Sequence, residues 1–255
     1  MGVSEGGGRG RTALVTGATG GIGEAIARRL AADGFRVCAG GRRREVLRRL
    51  AGEIGGVAVP FDVTDEREVG RARGVVEDAA RAGRRAAVGR GAGEAPARVD
   101  VLVNAAGVFG LAPVVETGAE LLARNLDVNL AGTIHVTRAF LPGMLAAGSG
   151  LVINVGSVAG WRAFPENAAY SASKFGLRGF HDVLLEELRG TGVRACLLEP
   201  GAVDTPIWDP LDPDTVPHLP DRAGMLRPED VARAAAFVAA LPRAVAVPLM
   251  RIERA

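Results

Sequence analysis

Short apolar runs alternate with longer helical patterns along most of this 255-residue chain. Thr12 to Thr16, Arg36 to Gly40, Val57 to Phe61, Val99 to Asn104, Leu151 to Val155 and Val193 to Leu198 read as strands. Between them, Ile22 to Asp33, Glu45 to Ile54, Asp65 to Ala82, the region around Glu120 to Ala147, and Ala168 to Arg189 read as helices. Pro228 to Leu241 is a further helix, with Pro228 suited to its first turn, and Val245 to Met250 fits a last strand. Strands without polar alternation, separated by helices, imply a mostly parallel, doubly wound sheet with helices on both faces. A chain of this length buries a substantial core, so a single α/β domain spanning 12–255 is expected.

Two stretches break the rhythm. Residues 83–98 are rich in Ala, Gly and Arg without apolar periodicity, and read as a flexible surface insertion. Residues 203–227 carry five prolines and Trp208 after the carboxyl end of a strand. So long a connection is more often functional than idle, and ligands bind at that end of such sheets, so it reads as a substrate-binding loop. Residues 1–11 are Gly-rich and lack an apolar signal core, which fits a flexible tail. A net charge of +2, with arginines scattered among acids, gives no case for nucleic acid. No apolar run is long enough for a membrane span. The histidines are scattered and no metal site is expected. Cys38 and Cys196 lie in apolar strands and read as structural thiols of a reducing, cytoplasmic compartment.

The chain has one tyrosine, Tyr170, and one lysine, Lys174, among 31 lysines and arginines. Their spacing places both side chains on one helix face. An ammonium beside a phenol favours phenolate, so the Tyr170 pKa is expected below the reference of about 10. Such a pair donates and accepts protons near neutral pH. Lysine is a compact charge on a flexible stem, which the rigid guanidinium of arginine does not replace.

Thr16-Gly17-Ala18-Thr19-Gly20-Gly21-Ile22-Gly23 joins the first strand to the first helix. Glycines permit a tight turn and close approach to a pyrophosphate, and the helix start offers unpaired N–H groups. The second strand ends at Gly40-Gly41-Arg42-Arg43-Arg44, with no acid to accept a ribose hydroxyl and three arginines suited to a 2′-phosphate. NADP(H) is therefore expected over NAD(H). The alternative, arginines decorating a helix start, opposes the helix dipole.

These features, with Asp62-Val63, Asn104-Ala105-Ala106-Gly107, Asn129, Ser157, and Pro200-Gly201 with Thr205, are similar to the single-domain short-chain dehydrogenase/reductase family. The match runs from about Arg11 to Leu241. The resemblance implies a Rossmann-type fold and a catalytic set of Asn129, Ser157, Tyr170 and Lys174. Tyr170 would give a proton to a carbonyl oxygen, Ser157 would hydrogen-bond that oxygen, and Lys174 would tune Tyr170 and hold the nicotinamide ribose. Asn129 would support a water connecting Lys174 to solvent. Gly17, Thr19, Gly21, Ile22 and Gly23 would line the pyrophosphate, Asp62 and Val63 the adenine, and Asn104 and Gly107 the adenosine side. Pro200, Val203 and Thr205 would hold the nicotinamide end. Asp62 has a plainer alternative as a cap of the next turn, and Asn129 one as a residue that caps or kinks a helix. A homodimer or homotetramer is expected, although the weakly matching C-terminus puts tetramer contacts in doubt.

Trp161 follows Ser157 and Trp208 follows Thr205 closely, so both are expected to border the substrate, with Phe109 and Phe164 as companions. Such walls favour a fairly large, apolar or cyclic ketone, a 3-oxoacyl or polyketide-type ketone included. Arg162 or Arg178 would meet an anionic group. Alcohol oxidation and a non-catalytic dinucleotide-binding regulator remain as alternatives.

Overall fold

The computed structural model of the protein describes residues 10–88 and 98–255. Seven strands form one sheet: β1 (Thr12–Val15), β2 (Arg36–Gly41), β3 (Val57–Pro60), β4 (Val101–Asn104), β5 (Gly150–Val155), β6 (Val193–Pro200) and β7 (Leu249–Ile252). Every pairing is parallel, in the order β3-β2-β1-β4-β5-β6-β7. The helices are α1 (Gly21–Ala32), α2 (Arg44–Ile54), α3 (Glu66–Val88), α4 (Ala119–Asn125), α5 (Gly132–Ala146), α6 (Ala168–Glu187) and α7 (Pro228–Ala240).

The central strands are mostly apolar because both faces are covered. Along β1, Ala13 and Val15 pack with Ile26, Leu30 and Leu47 of α1 and α2 and Val231 of α7. Leu14 points the other way, among Val69 and Val76 of α3, Phe140 and Met144 of α5 and Leu184 of α6. Each large aliphatic side chain withdrawn from water in this way contributes about 1.5–3 kcal/mol. After β3 the chain crosses back to place β4 against the free side of β1. That reversal opens a crevice at the carboxyl ends of β1 and β4, where the glycine turn and the Asn104–Gly107 run both begin.

Three boundaries differ from the sequence reading. α3 continues through Gly83 to Val88, so that part of the expected insertion is helical. The reason is distant in sequence. The Arg84 guanidinium donates to Asp100 Oδ2 at 2.9 Å and to the Arg98 carbonyl at 3.0 Å, and Asp100 also accepts the Thr12 N–H at 2.8 Å. A buried carboxylate needs such partners. The rest of the insertion, 89–97, lies outside the described residues, as do residues 1–9 of the expected tail. Arg11 packs over the Phe35 ring and donates to the Ala239 carbonyl. The last strand falls at Leu249–Ile252, later than Val245 to Met250, because its backbone pairs with Leu197–Pro200 of β6. The region from Glu120 to Ala147 is interrupted by a π-helical stretch, Leu126–Ala131, which carries Asn129. Among the described residues no helix is long and apolar enough to cross a membrane, and no cluster of potential metal ligands occurs.

Candidate active site

A cleft of about 1280 Å³ runs along the carboxyl ends of the strands. One end is the glycine turn. Gly17 has φ +65°, and a Cβ there would lie 2.6 Å from the Ala105 carbonyl oxygen. A Cβ on Gly23 would lie 2.3 Å from the Gly17 carbonyl oxygen. Gly21, at φ +24°, has room only for hydrogen against the Thr205 methyl. Thr16, which the sequence reading took only as the start of the turn, locks this end. Its hydroxyl accepts the N–H groups of Ala105 and Ala106, each at 3.1 Å, and so ties the β1 turn to the β4 turn. The result is a largely backbone-lined cradle formed by Gly17, Thr19, Gly21, Ile22 and Gly23. It fits a dinucleotide pyrophosphate, whose oxygens need close backbone approach.

Arg42, Arg43, Asp62 and Val63 line the adjoining wall. Arg43 reaches back to donate to the Thr19 carbonyl, and Arg42 Nη1 stands 3.7 Å from Asp62 Oδ2 with its side chain 66% exposed. Asp62 Oδ1 caps its own turn by accepting the Thr64 N–H at 2.9 Å, as the plainer reading of this residue held. The exposed Arg42 and its neighbour Arg43 place positive charge on this wall beside Asp62.

Further along, Gly107, Pro200, Val203 and Thr205 line the cleft, but Asn104 does not. Its side chain is buried and donates to Thr137 Oγ1 at 3.0 Å and to Asn154 Oδ1 at 2.9 Å. Asn154 continues the chain to His181, which is buried and bonded to the Pro248 carbonyl at 3.0 Å. Asn104 is therefore a sheet-crossing polar link beneath the cleft. Asn129 is also off the cleft. Its side chain grips both backbone groups of Val108, at 2.8 and 3.0 Å, and donates to Ser173 Oγ at 2.9 Å. It holds the strand-end loop on α6 through Val108 and Ser173.

Ser157, Tyr170 and Lys174 meet on the cleft floor. β5 delivers Ser157, whose Oγ accepts the Ala159 N–H at 3.1 Å. α6 delivers the other two from one face. Lys174 Nζ donates to the Val155 carbonyl at 2.9 Å and lies 5.6 Å from the Tyr170 ring centre. The expected fall in the phenol pKa is corrected: burial pushes Tyr170 up to about 12, with a hydrogen bond from Ser157 pulling the other way. Burial likewise pushes Lys174 down to about 8. Desolvation disfavours the charged form of each, and it outweighs their mutual influence here. Tyr170 is thus held as a protonated phenol and Lys174 as an ammonium that titrates near the top of the physiological range.

Phe109 packs edge-on to Tyr170 at 4.8 Å between ring centres, and Trp208 packs edge-on to Phe109 at 4.9 Å. The Trp208 indole N–H is anchored on the Val203 carbonyl at 3.1 Å. Phe164 and Arg162, themselves stacked, line the outer part. Trp161 is not in the lining. Its ring lies 4.0 Å beneath the Arg251 guanidinium, which together with Arg178 pairs with Glu199. Glu199 is 1% exposed, and a buried carboxylate draws both arginines away from the cleft. Arg178 is therefore unavailable to a substrate. Glu166, at φ +62°, meets His218 at 3.3 Å, so the 203–227 loop touches the wall that precedes α6. Neither residue stood out in the sequence; both lie in loops whose approach no local spacing signals.

Comparison with known proteins places these features in a wider set. The family model described as short chain dehydrogenase matches residues 11–215. D-threitol dehydrogenase of Mycolicibacterium smegmatis is 36% identical, over 90% of this chain and 86% of that protein. NADP-dependent 3-hydroxy acid dehydrogenase of Salmonella typhi is also 36% identical, over 90% of this chain and 89% of that protein. A Sphingomonas 2-dehydro-3-deoxy-L-rhamnonate dehydrogenase (NAD(+)) is 34% identical, over 90% and 86%. A metagenomic short-chain oxidoreductase solved in complex with NADP superposes with a TM-score of 0.77 at 31% identity, covering 98% of this chain and 99% of that one.

Proposed function

The chain belongs to the short-chain dehydrogenase/reductase family, and from that premise we propose that it reduces a ketone to a secondary alcohol using NADPH. The family places it among oxidoreductases of CH–OH groups that use a nicotinamide cofactor. The observation that carries the reading is the meeting of Ser157, Tyr170 and Lys174 on the cleft floor, with Lys174 Nζ 5.6 Å from the Tyr170 ring centre and the Tyr170 phenol held protonated by burial. A phenol that keeps its proton suits an acid, and an alkoxide forming from a carbonyl is a stronger base than a phenolate. When bound, the nicotinamide supplies hydride. The chain's own groups do the rest. Ser157 and Tyr170 fix the carbonyl oxygen, Tyr170 delivers the proton, and the Lys174 ammonium stabilises the phenolate left behind. Because the same residues serve the reverse reaction, and several relatives are named as dehydrogenases, alcohol oxidation is the second reading.

The named substrates of the relatives differ from one another, so substrate class is read from this chain's own walls. Phe109 and Trp208 make an aromatic slot beside Tyr170. A fairly large, apolar or cyclic ketone fits it. For the cofactor, the relatives' names divide between NADP and NAD(+). Arg42, exposed at the lip of the adenine wall, favours the phosphorylated form. Consumption of NADPH against a ketone panel, repeated with NADH, tests both points. NADPH is expected to be the faster donor. Arg42→Ala is expected to lower that preference roughly 10–150-fold, the worth of about 1.5–3 kcal/mol for a hydrogen bond to a charged group. Equal use of both nucleotides by the unmodified protein defeats the reading of Arg42.

A pH dependence follows from Lys174, whose pKa is pushed down to about 8. Below that value the ammonium is present and supports the phenolate; above it the charge is lost. The reduction rate at saturating NADPH is therefore expected to hold through neutrality and fall as pH rises past about 8. Since Tyr170 keeps its proton until about 12, the phenol does not cause the fall. A rate that stays level to pH 10 removes the Lys174 charge from the mechanism.

A further inference from the structure

The loop from 203 to 227 is built around one guanidinium. Arg222 Nη1 donates to Asp204 Oδ1 at 2.6 Å and Nη2 to Asp209 Oδ1 at 2.7 Å. Its Nε lies 3.9 Å from Asp214 Oδ2, and its backbone N–H donates to Asp214 Oδ1 at 2.7 Å. Nη1 also reaches the Thr205 carbonyl at 3.5 Å. These partners lie at successive points along the loop. Asp204 adjoins Thr205, whose methyl closes on Gly21 of the dinucleotide cradle. Asp209 follows Trp208 in the short 3₁₀ turn Pro206–Leu211, and Asp214 lies in the next turn, Pro213–Thr215. A planar fork with five donors can gather three carboxylates that would otherwise repel one another.

We propose that Arg222 is a positioning residue for the reduction described above: by drawing Asp204, Asp209 and Asp214 together it holds Trp208 against Phe109 and so sets the substrate wall beside Tyr170. The inference rests on the ketone-reductase reading for its catalytic consequence but not for its structural one. Few other fixed contacts hold Trp208 down. Its indole N–H bond to Val203 and its backbone N–H bond to Thr205 are local, its ring touches Phe109, and Ile207, Asp209 and Pro210 around it are exposed. With the guanidinium gone, Asp204, Asp209 and Asp214 lose their shared direct ion-pair partner, and the loop opens toward solvent. The side chain of Arg222 is 28% exposed, so salt screens the hub in part but not wholly.

Trp161 and Trp208 are the only tryptophans, so a Trp161→Phe background leaves Trp208 as the single reporter of the loop. In that full-length background, Arg222→Gln is expected to move Trp208 emission to longer wavelength and to raise its quenching by acrylamide roughly twofold or more. High salt is expected to move the parent part of the way. With NADPH and a ketone that the parent accepts, the Gln variant is expected to raise the ketone KM about tenfold with a much smaller change in kcat. NADPH affinity and the thermal midpoint are expected to stay near the parent values. Arg222→Lys, which keeps one charge but loses the fork, should fall between the two. Unchanged Trp208 emission in the Gln variant overturns the proposal. So does a parallel loss of NADPH affinity, thermal midpoint and KM, which would mark a general structural role. If no ketone is turned over even by the parent, the reductase reading fails, and the fluorescence result still decides whether Arg222 holds the loop.

Discussion

Replacing Tyr170 by phenylalanine is expected to leave a folded protein that binds NADPH and has lost nearly all turnover. A positioned acid contributes about 10²–10⁴ in rate, and the phenol is the proton donor assigned to the carbonyl oxygen here. The fold should survive because the ring, not the hydroxyl, makes the edge-on contact with Phe109 at 4.8 Å. The substitution also removes a hydroxyl whose ionised form burial already disfavours. NADPH oxidation at saturating ketone, set beside nucleotide binding followed by its fluorescence, separates the two effects. Turnover at the parent rate would remove Tyr170 from the mechanism. Lys174→Arg should fail as well, although it preserves charge. Lys174 is 6% exposed, and its Nζ sits 2.9 Å from the Val155 carbonyl. A guanidinium is too broad for that space, and it does not titrate near neutrality.

The second large effect is expected at Gly23. An alanine Cβ would lie 2.3 Å from the Gly17 carbonyl oxygen and 2.7 Å from its carbonyl carbon. Both are backbone atoms of the tight turn, so no side chain can swing aside. Overpacking of this kind costs about 1–3 kcal/mol, sometimes more. For a domain of this size that lowers the thermal midpoint by roughly 2–12 °C, at about 2–4 °C per kcal/mol. NADPH binding should disappear with it, because relief of the clash must spread the cradle. Gly52→Ala provides the contrast. Gly52 lies within α2 with nothing within 4 Å of a Cβ, so the same change should stabilise the protein by up to about 1 kcal/mol. Thermal unfolding of both variants, with nucleotide titration, checks the pair. A Gly23→Ala protein that binds NADPH normally would contradict the assignment of the cradle.

The features legible in the sequence are the ones written in local spacing. Uninterrupted apolar runs marked the buried strands, since a parallel sheet hides both faces of Leu14 and its neighbours from water. The glycine turn marked the cradle, because at Gly17 and Gly23 backbone atoms lie where a Cβ would be. The i, i+4 spacing of Tyr170 and Lys174 put both on one face of α6 before any packing was considered. Other expectations failed where a partner lies far along the chain. Asn104 sits in register with Asn154 of β5, and that neighbour takes its amide into the sheet and away from the adenosine side. Glu199 of β6 collects Arg178 from α6 and Arg251 from β7, and the latter covers Trp161. Arg84 finds Asp100 and carries α3 beyond its apolar pattern.

The sequence by itself determined the sheet, its helices, the phosphate turn and the identity of the acid–amine pair, because each is encoded within a few residues or by a simple period. Only the tertiary structure decided which polar side chains face the cleft and how their protons are held. Burial and long-range charge pairing set those properties, and both arise from chain segments that meet only after folding. Thus Tyr170 is pushed up and Lys174 down by the same loss of water, opposite to what their proximity alone suggests for the phenol.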